Sequence, residues 1–506
     1  MSLVSNLFIL FVAASVLIYY LVPRRFQWIV LLAFSYIYYI AGGPRYVVFI
    51  LFSTLVTWLL ALLIEKTEGN GNHKGAKKLL ILGLILNFGM LGVVKYTNFT
   101  IENINALFHL HLRGIELLFP LGISFYTFQS SGYLLDVYWK RCKAERQPFK
   151  YALFVSYFPQ ILQGPIGRYS RLANQLYAEH KFESQNIVRG FERILWGFFK
   201  KMILADWAAV FSDAIFCDPE KYNGVALLGV LFYLIQIYAD FSGGMDVVIG
   251  ISSMFGIELD ENFKRPYFAV STADFWHRWH ITLGTWMKDY VFYPVTLSRW
   301  MSKFGKKCKK VFGKKIGRAI PIGAANLIVF FLVGIWHGAA WKYIVYGMYN
   351  GIIIAFSGIM ADNYRSWKKK LNISGKETWY YVFTVVRTFI LVLIGNYFDR
   401  ADSVGQAFLM MKQSLTSFAP SQLLMIPAGK QGTAFTPYAL LIIGVLCVIQ
   451  FIVSTSGKRS ENSRVSCKAS FTCYSCHLFL HAGIHWLVWF HCSSERFYLC
   501  TILRKS

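Results

Sequence analysis

Long apolar runs, repeated along the chain, constrain what this sequence can fold into more than any other feature. They fall at residues 7–21, 29–40, 47–64, 79–94, 322–336, 343–360, 382–394 and 438–453. A helix that crosses the hydrocarbon core of a bilayer needs about 20 predominantly apolar residues, and only helices or closed barrels satisfy their backbone there. The runs predict an all-α polytopic membrane protein with about 10–12 membrane helices, some of them re-entrant. Composition agrees: 56% of residues are hydrophobic, 15% are charged, and the mean hydropathy is +0.43. The first run has no basic segment before it and is followed by Val22-Pro-Arg-Arg, which marks a retained membrane helix rather than a secretory leader.

The net charge of +26 would suggest nucleic acid in a soluble protein. Here the basic residues gather in the short polar interruptions, where the positive-inside bias puts them, and no nucleic-acid role is expected. Arg24-Arg25, residues 65–78 and residues 140–150 read as cytoplasmic, and the nearly uncharged residues 41–45 and 96–114 as external, which places the N-terminus outside. The stretch from Arg299 to Arg318, RWMSKFGKKCKKVFGKKIGR, then reads as a cytoplasmic loop. It is a candidate surface for anionic headgroups or an acidic partner.

Two domains are expected: a membrane domain over 1–455 and an aberrant tail over 456–506. Five of the nine cysteines fall in the tail, at Cys467, Cys473, Cys476, Cys492 and Cys500. Cys473-Tyr-Ser-Cys476-His477 matches the attachment pattern of c-type haem, and the Cys/His clustering admits a zinc site. No second spacing supports either. Frameshifted translation of an ordinary last helix accounts for the Ser, Cys, His and Leu excess, and resequencing the 3′ end tests it.

Three polar constellations interrupt apolar surroundings, and ionisable residues in such settings point to function. In QIYADFSGGMD, Asp240 and Ser242 either line a cavity or bond within a helix interface. In DFWHRWHITLGTWMKDY, His277 and His280 would share one face of a helix, but no third ligand accompanies them, so no metal is expected. The tryptophans of that stretch also suit an interfacial belt. In VGIWHGAAW, His337 follows Trp336 at the end of an apolar run. Its imidazole suits general-base work on a hydroxyl, or a neutral histidine bonded inside a bundle.

NFKRPYFAVSTADFWHRWHITLGTWMKDYVFYP, followed by LVGIWHGAAW, resembles the membrane-bound O-acyltransferase family, in its bacterial polysaccharide-modifying branch. The stretches PLGISFYTFQSSGYLLDVY, SYFPQILQGPIGRY and YADFSGGMDVVIG extend the resemblance over about residues 7–453; the tail departs from it. The resemblance implies a helical ring around a funnel, with His337 as the catalytic histidine and His280 as the second signature histidine. Arg278, Trp279, Trp336, Asp240, Ser242, Asn262 and Asp289 are implied as substrate- or tunnel-lining residues. It also implies transfer of an acyl group, acetyl by expectation, from a cytoplasmic thioester, acetyl-CoA or an acyl carrier protein, to an extracytoplasmic partner enzyme that acylates a polysaccharide. His337 would serve as general base or hold the acyl group as a nucleophile, and His280 with Trp279 and Arg278 would orient the donor or stabilise developing charge. No bound cofactor is expected, and the location implied is the bacterial cytoplasmic membrane. D-alanyl transfer to teichoic acid is the alternative within the family. A glycan or ion transporter is the alternative outside it, although the internal pseudo-symmetry common in transporters is missing.

Overall fold

Each of the eight apolar runs is helical to within one residue in the computed structural model, which describes residues 3–161, 163–428 and 433–462, the last nine by backbone alone. In chain order the helices that matter here are α1 (Asn6–Leu21), α2 (Gln27–Ala41), α3 (Val47–Gly69), α4 (His73–Phe108) and α5 (Ala226–Met254). There follow the short α6 (Thr272–Arg278) and α7 (Ile281–Met287), then α8 (Arg299–His337), α9 (Trp341–Ile359), α10 (Thr378–Arg400) and α11 (Thr436–Asn462). Among the described residues the only β pairing is one isolated antiparallel bridge, Phe263 to Trp279. The chain divides into two units, Met1–Gly444 and Val445–Ser506. The Cys- and His-rich motifs of the tail, expected to be aberrant, lie outside the described residues.

Among the described residues six helices are long and apolar enough to cross a bilayer, and a seventh is added if α9 and Ala361–Lys370, bent by 57°, form one span. The 10–12 expected from the apolar runs are membrane-embedded helices, re-entrant ones included, and some of the helices are too short to cross. The 16 residues of α1 and the 15 of α2 rise about 24 Å and 22 Å at 1.5 Å per residue, short of a hydrocarbon core about 30 Å thick. Conversely, the nearly uncharged stretch at 96–108, expected to be a loop, is the end of α4, whose 36 residues extend well beyond such a core.

Large apolar side chains are exposed along the helices, among them Leu7, Leu10, Leu17, Val48, Leu55, Ile85, Val386 and Leu441, while polar groups turn inward. That is the arrangement a lipid-facing surface requires. Between α3 and α4, Ser53 donates to Asn87 Oδ1 at 2.6 Å and Asn87 Nδ2 donates to Thr57 Oγ1 at 3.0 Å. Such interhelical bonds hold helices together where lipid offers no hydrophobic drive for packing.

The basic stretch from Arg299 to Arg318 is helical, not a loop. Gly313 breaks α8 with φ 77°, a left-handed conformation open to glycine at little cost. The helix then doubles back, bringing Gly317 against the backbone of Cys308 and Lys309 and Gly305 against Pro321. The limb after Gly313 runs to His337 and crosses α9 closely. A Cβ on Gly347 would lie 2.2 Å from the Phe330 carbonyl oxygen and 2.9 Å from Gly334 Cα. Small residues at the crossing permit that backbone approach and fix where α8 ends.

Candidate active site

His280 owes its position to a break in the chain. Ser271 caps α6 by accepting a hydrogen bond from Asp274 N at 3.1 Å, and Arg278 Nε returns to Asp274 Oδ1 at 2.9 Å. After one more residue in extended conformation, Trp279, the backbone of His280 turns left-handed at φ 49° and α7 begins. A strap at 262–264 holds this turn: Lys264 N donates to Arg278 O at 2.9 Å and Ile281 N to Asn262 O at 3.1 Å. The break also separates the two histidines expected to share a helix face. His277 is exposed on α6, and His280 is 2% exposed.

The Asn262 side chain determines which nitrogen of His280 carries the proton. Asn262 Oδ1 accepts from the Thr282 backbone N–H at 2.9 Å and from Thr282 Oγ1 at 3.0 Å, so the atom facing Thr282 is the carbonyl oxygen. The same oxygen lies 3.3 Å from His280 Nδ1. Nδ1 is therefore the N–H, and Nε2 carries a lone pair. Nε2 is buried and has no hydrogen-bond partner among the described residues. Phe241 of α5 packs edge-on against the imidazole with ring centres 4.9 Å apart.

His337 arrives from the other side, at the end of α8. The last carbonyls of a helix have no partners within it. Here Tyr96 OH donates to Ile335 O at 2.6 Å and Lys95 Nζ donates to Trp336 O, both from α4. The Trp336 ring centre lies 5.4 Å from that of His280 and 5.2 Å from that of His337, so the indole packs against both imidazoles. Its Nε1–H is buried without a partner among the described residues. The His337 side chain is 21% exposed and its Nδ1 lies 3.8 Å from Asp399 Oδ1, too long for a hydrogen bond but close enough for strong charge coupling. Tyr233 donates to Asp399 Oδ2 at 2.7 Å, and Lys342 Nζ donates to the Asp399 and Ala401 carbonyls at 3.3 Å and 2.7 Å.

The other expected site residues have different polar partners. Asp240 pairs with Lys201. Ser242 accepts from Lys200 Nζ at 3.0 Å, and Lys200 also meets Asp246 at 2.5 Å. Both lysines lie in a π-helical stretch, Phe199–Ala205. Asp289 pairs with Arg168 at 2.8 Å. Arg278 is held by Asp274, and Trp279 is buried among Phe263, Tyr238 and Phe275. The group that the fold assembles is thus Asn262, His280, Trp336 and His337. Asp399, Tyr233, Lys95 and Tyr96 join it without having been singled out in the sequence. A signal for two of them existed: Lys95 is a lone cation at the end of the run 79–94, and Asp399 a carboxylate soon after the run 382–394. Among the described residues no three His, Cys, Asp or Glu side chains are grouped to hold a metal.

Residues 144–395, which include both histidines, match the model of the membrane-bound O-acyltransferase family. The chain is 33% identical over 413 residues to a probable alginate O-acetylase, AlgI, of Pseudomonas syringae pv. tomato, covering 80% of this chain and 73% of that protein. The chain belongs to the membrane-bound O-acyltransferase family. Two further relatives in this family differ in their named acceptors. A peptidoglycan O-acetyltransferase of Helicobacter pylori is 34% identical over 357 residues, 65% of this chain and 63% of that protein. A teichoic acid D-alanyltransferase of Bacillus subtilis is 30% identical over 287 residues, 56% of this chain and 69% of that protein. As a membrane-bound O-acyltransferase, the chain is a multi-pass membrane enzyme that transfers an acyl group to oxygen.

Proposed function

We propose that this O-acyltransferase takes an acetyl group from a cytoplasmic thioester and passes it across the membrane for O-acetylation of an extracellular or cell-wall polysaccharide. The observation that carries the catalytic part is the row His280–Trp336–His337, with Asp399 behind His337. Acyl transfer to oxygen needs a group to receive the hydroxyl proton and a group to act on the acyl carbon. His337, reachable and backed by a carboxylate, is the residue on which the acyl group is worked, as general base to the acceptor or as its transient carrier. Acetyl is favoured over D-alanyl because the relatives named for O-acetylation align over more of the chain than the one named for D-alanylation.

The donor is acetyl-CoA or an acetylated carrier protein, and the basic hairpin from Arg299 to Arg318, with nine Lys and Arg and no acid, is its candidate docking surface. The location is the bacterial cytoplasmic membrane with the N-terminus outside, and the acceptor side is served by an extracytoplasmic partner enzyme. Incorporation of labelled acetate into surface glycan tests the reading in wild-type cells, a deletion strain and His337→Ala. Loss of surface O-acetyl in both mutants supports it. Unchanged acetyl with lost D-alanyl esters transfers the case to D-alanylation.

A further inference from the structure

His280 Nε2 and Trp336 Nε1 are two buried polar atoms without partners among the described residues, on adjacent rings, and they are opposites: one is a lone pair, the other an N–H. Buried polar groups in folded proteins are rarely left unpaired. A carbonyl oxygen satisfies the indole but not the imidazole, and an ammonium or amide N–H does the reverse. A hydroxyl satisfies both, its oxygen accepting from Trp336 while its O–H donates to His280, and an alcohol can take there the place a water molecule would otherwise fill.

We propose that this pair is the seat of the acceptor hydroxyl, and that His280, not His337, takes its proton. The inference rests on the acetyl-transfer reading above. It divides the chemistry between the two imidazoles. Asp399 on the Nδ1 side of His337 favours the tautomer with Nδ1–H and leaves the lone pair on Nε2. That lone pair attacks the thioester carbonyl, a carbon–nitrogen bond forms, and the carbon–sulfur bond breaks to release thiolate. The product is an acetyl-imidazolium whose positive charge is offset by the Asp399 carboxylate. The seated hydroxyl oxygen then attacks the acetyl carbon. Its proton passes to His280 Nε2, the carbon–nitrogen bond breaks, and His337 recovers its lone pair. His280 returns the proton to solvent or to the thiolate, so the sum is thioester plus alcohol giving ester plus thiol.

His280 is fitted for the base role by its neighbours. Its Nδ1–H points to an oxygen already fixed by Thr282, so the ring has one orientation and one tautomer. Trp336 joins the two half-reactions, since its ring touches both imidazoles.

The test uses the purified full chain in lipid nanodiscs with S-acetylpantetheine, which carries the thioester shared by coenzyme A and carrier proteins. Free thiol is measured by chromatography, with and without a methyl glycoside as acceptor. The wild type should release a burst of about one thiol per chain without acceptor and turn over steadily with it. His280→Gln should keep the burst and lose turnover by about 100-fold or more. His337→Ala should lose both. Trp336→Phe, which keeps the ring and removes the N–H, should keep the burst and slow turnover on the order of 100-fold. Turnover without a burst in the wild type overturns the division of labour while leaving acetyl transfer intact. So does a folded His280→Gln protein without a burst, or Trp336→Phe turning over at the wild-type rate. Absence of both thiol release and ester in the wild type overturns the acetyl-transfer reading itself.

Discussion

Asp399 Oδ1 lies 3.8 Å from His337 Nδ1, although the two residues come from different helices, α10 and α8. The carboxylate keeps its place through Tyr233, which donates to its other oxygen at 2.7 Å. Asp399→Asn should therefore leave the fold intact and remove the charge. Acyl transfer is expected to fall by about 10² to 10⁴, the range set by analogous changes behind catalytic histidines. Tyr233→Phe, which frees the carboxylate but keeps it, should cost less, about tenfold. Transfer per unit of folded membrane protein measures both.

Asn262 is expected to be as costly to lose as the histidine it orients. Its Oδ1 serves Thr282 N, Thr282 Oγ1 and His280 Nδ1 together. Asn262→Ala leaves those donors without this buried acceptor, at about 1–3 kcal/mol for each one left unpaired. The unfolding midpoint should drop, and activity should fall with it because His280 is free to change tautomer. Asn262→Asp keeps an acceptor and should retain more stability than the alanine.

The crossing of α8 and α9 should tolerate no side chain at Gly347. A Cβ there meets the Phe330 carbonyl oxygen, whereas at Gly358 on the same helix it meets nothing within 4 Å. Gly347→Ala should destabilise the protein by about 1–3 kcal/mol, as overpacking does, and shift the end of α8 away from its working position. Gly358→Ala should match the wild type in both thermal unfolding and activity.

Acid should weaken the packing of the α1–α2 end of the protein through His180. This residue lies in the connection before the Ser184–Phe198 helix, where Nδ1 meets Tyr19 OH at 2.8 Å and the backbone exchanges two hydrogen bonds with the Gln27 side chain. Burial holds its pKa below the ordinary value of 6.5. The unfolded chain thus binds a proton near pH 6.5 that the folded chain refuses. Stability is full above that range and declines as pH falls through it toward the lowered native value. Thermal unfolding at pH 7.5 and 5.5 should show a lower midpoint in acid, and His180→Gln should narrow the difference.

The apolar runs were legible as helices because lipid demands it, and each lies in one. How many cross was not, since a run of 15 residues looks much like one of 20 until its ends are seen. The turn that buries His280 was hidden for another reason. Three-residue spacing from His277 predicts one helix face, and the strap that breaks the helix comes from Asn262 and Lys264, well upstream. Asp399 lay outside any motif because its partner, His337, sits on another helix. Nor did the charges of the basic stretch reveal that Gly313 would fold it into a helical hairpin. For His280 and for Asp399 the missing information was a contact with residues elsewhere in the chain, whereas Trp336 and His337, read from local pattern, lie side by side.

Lys95 and Tyr96 hold the carbonyls of Trp336 and Ile335, so the depth of His337 is set by α4 and not by α8 alone. Two side chains of a 36-residue neighbouring helix thus satisfy the carbonyls of the turn that bears the imidazole, and the placing of His337 is shared between helices far apart in sequence.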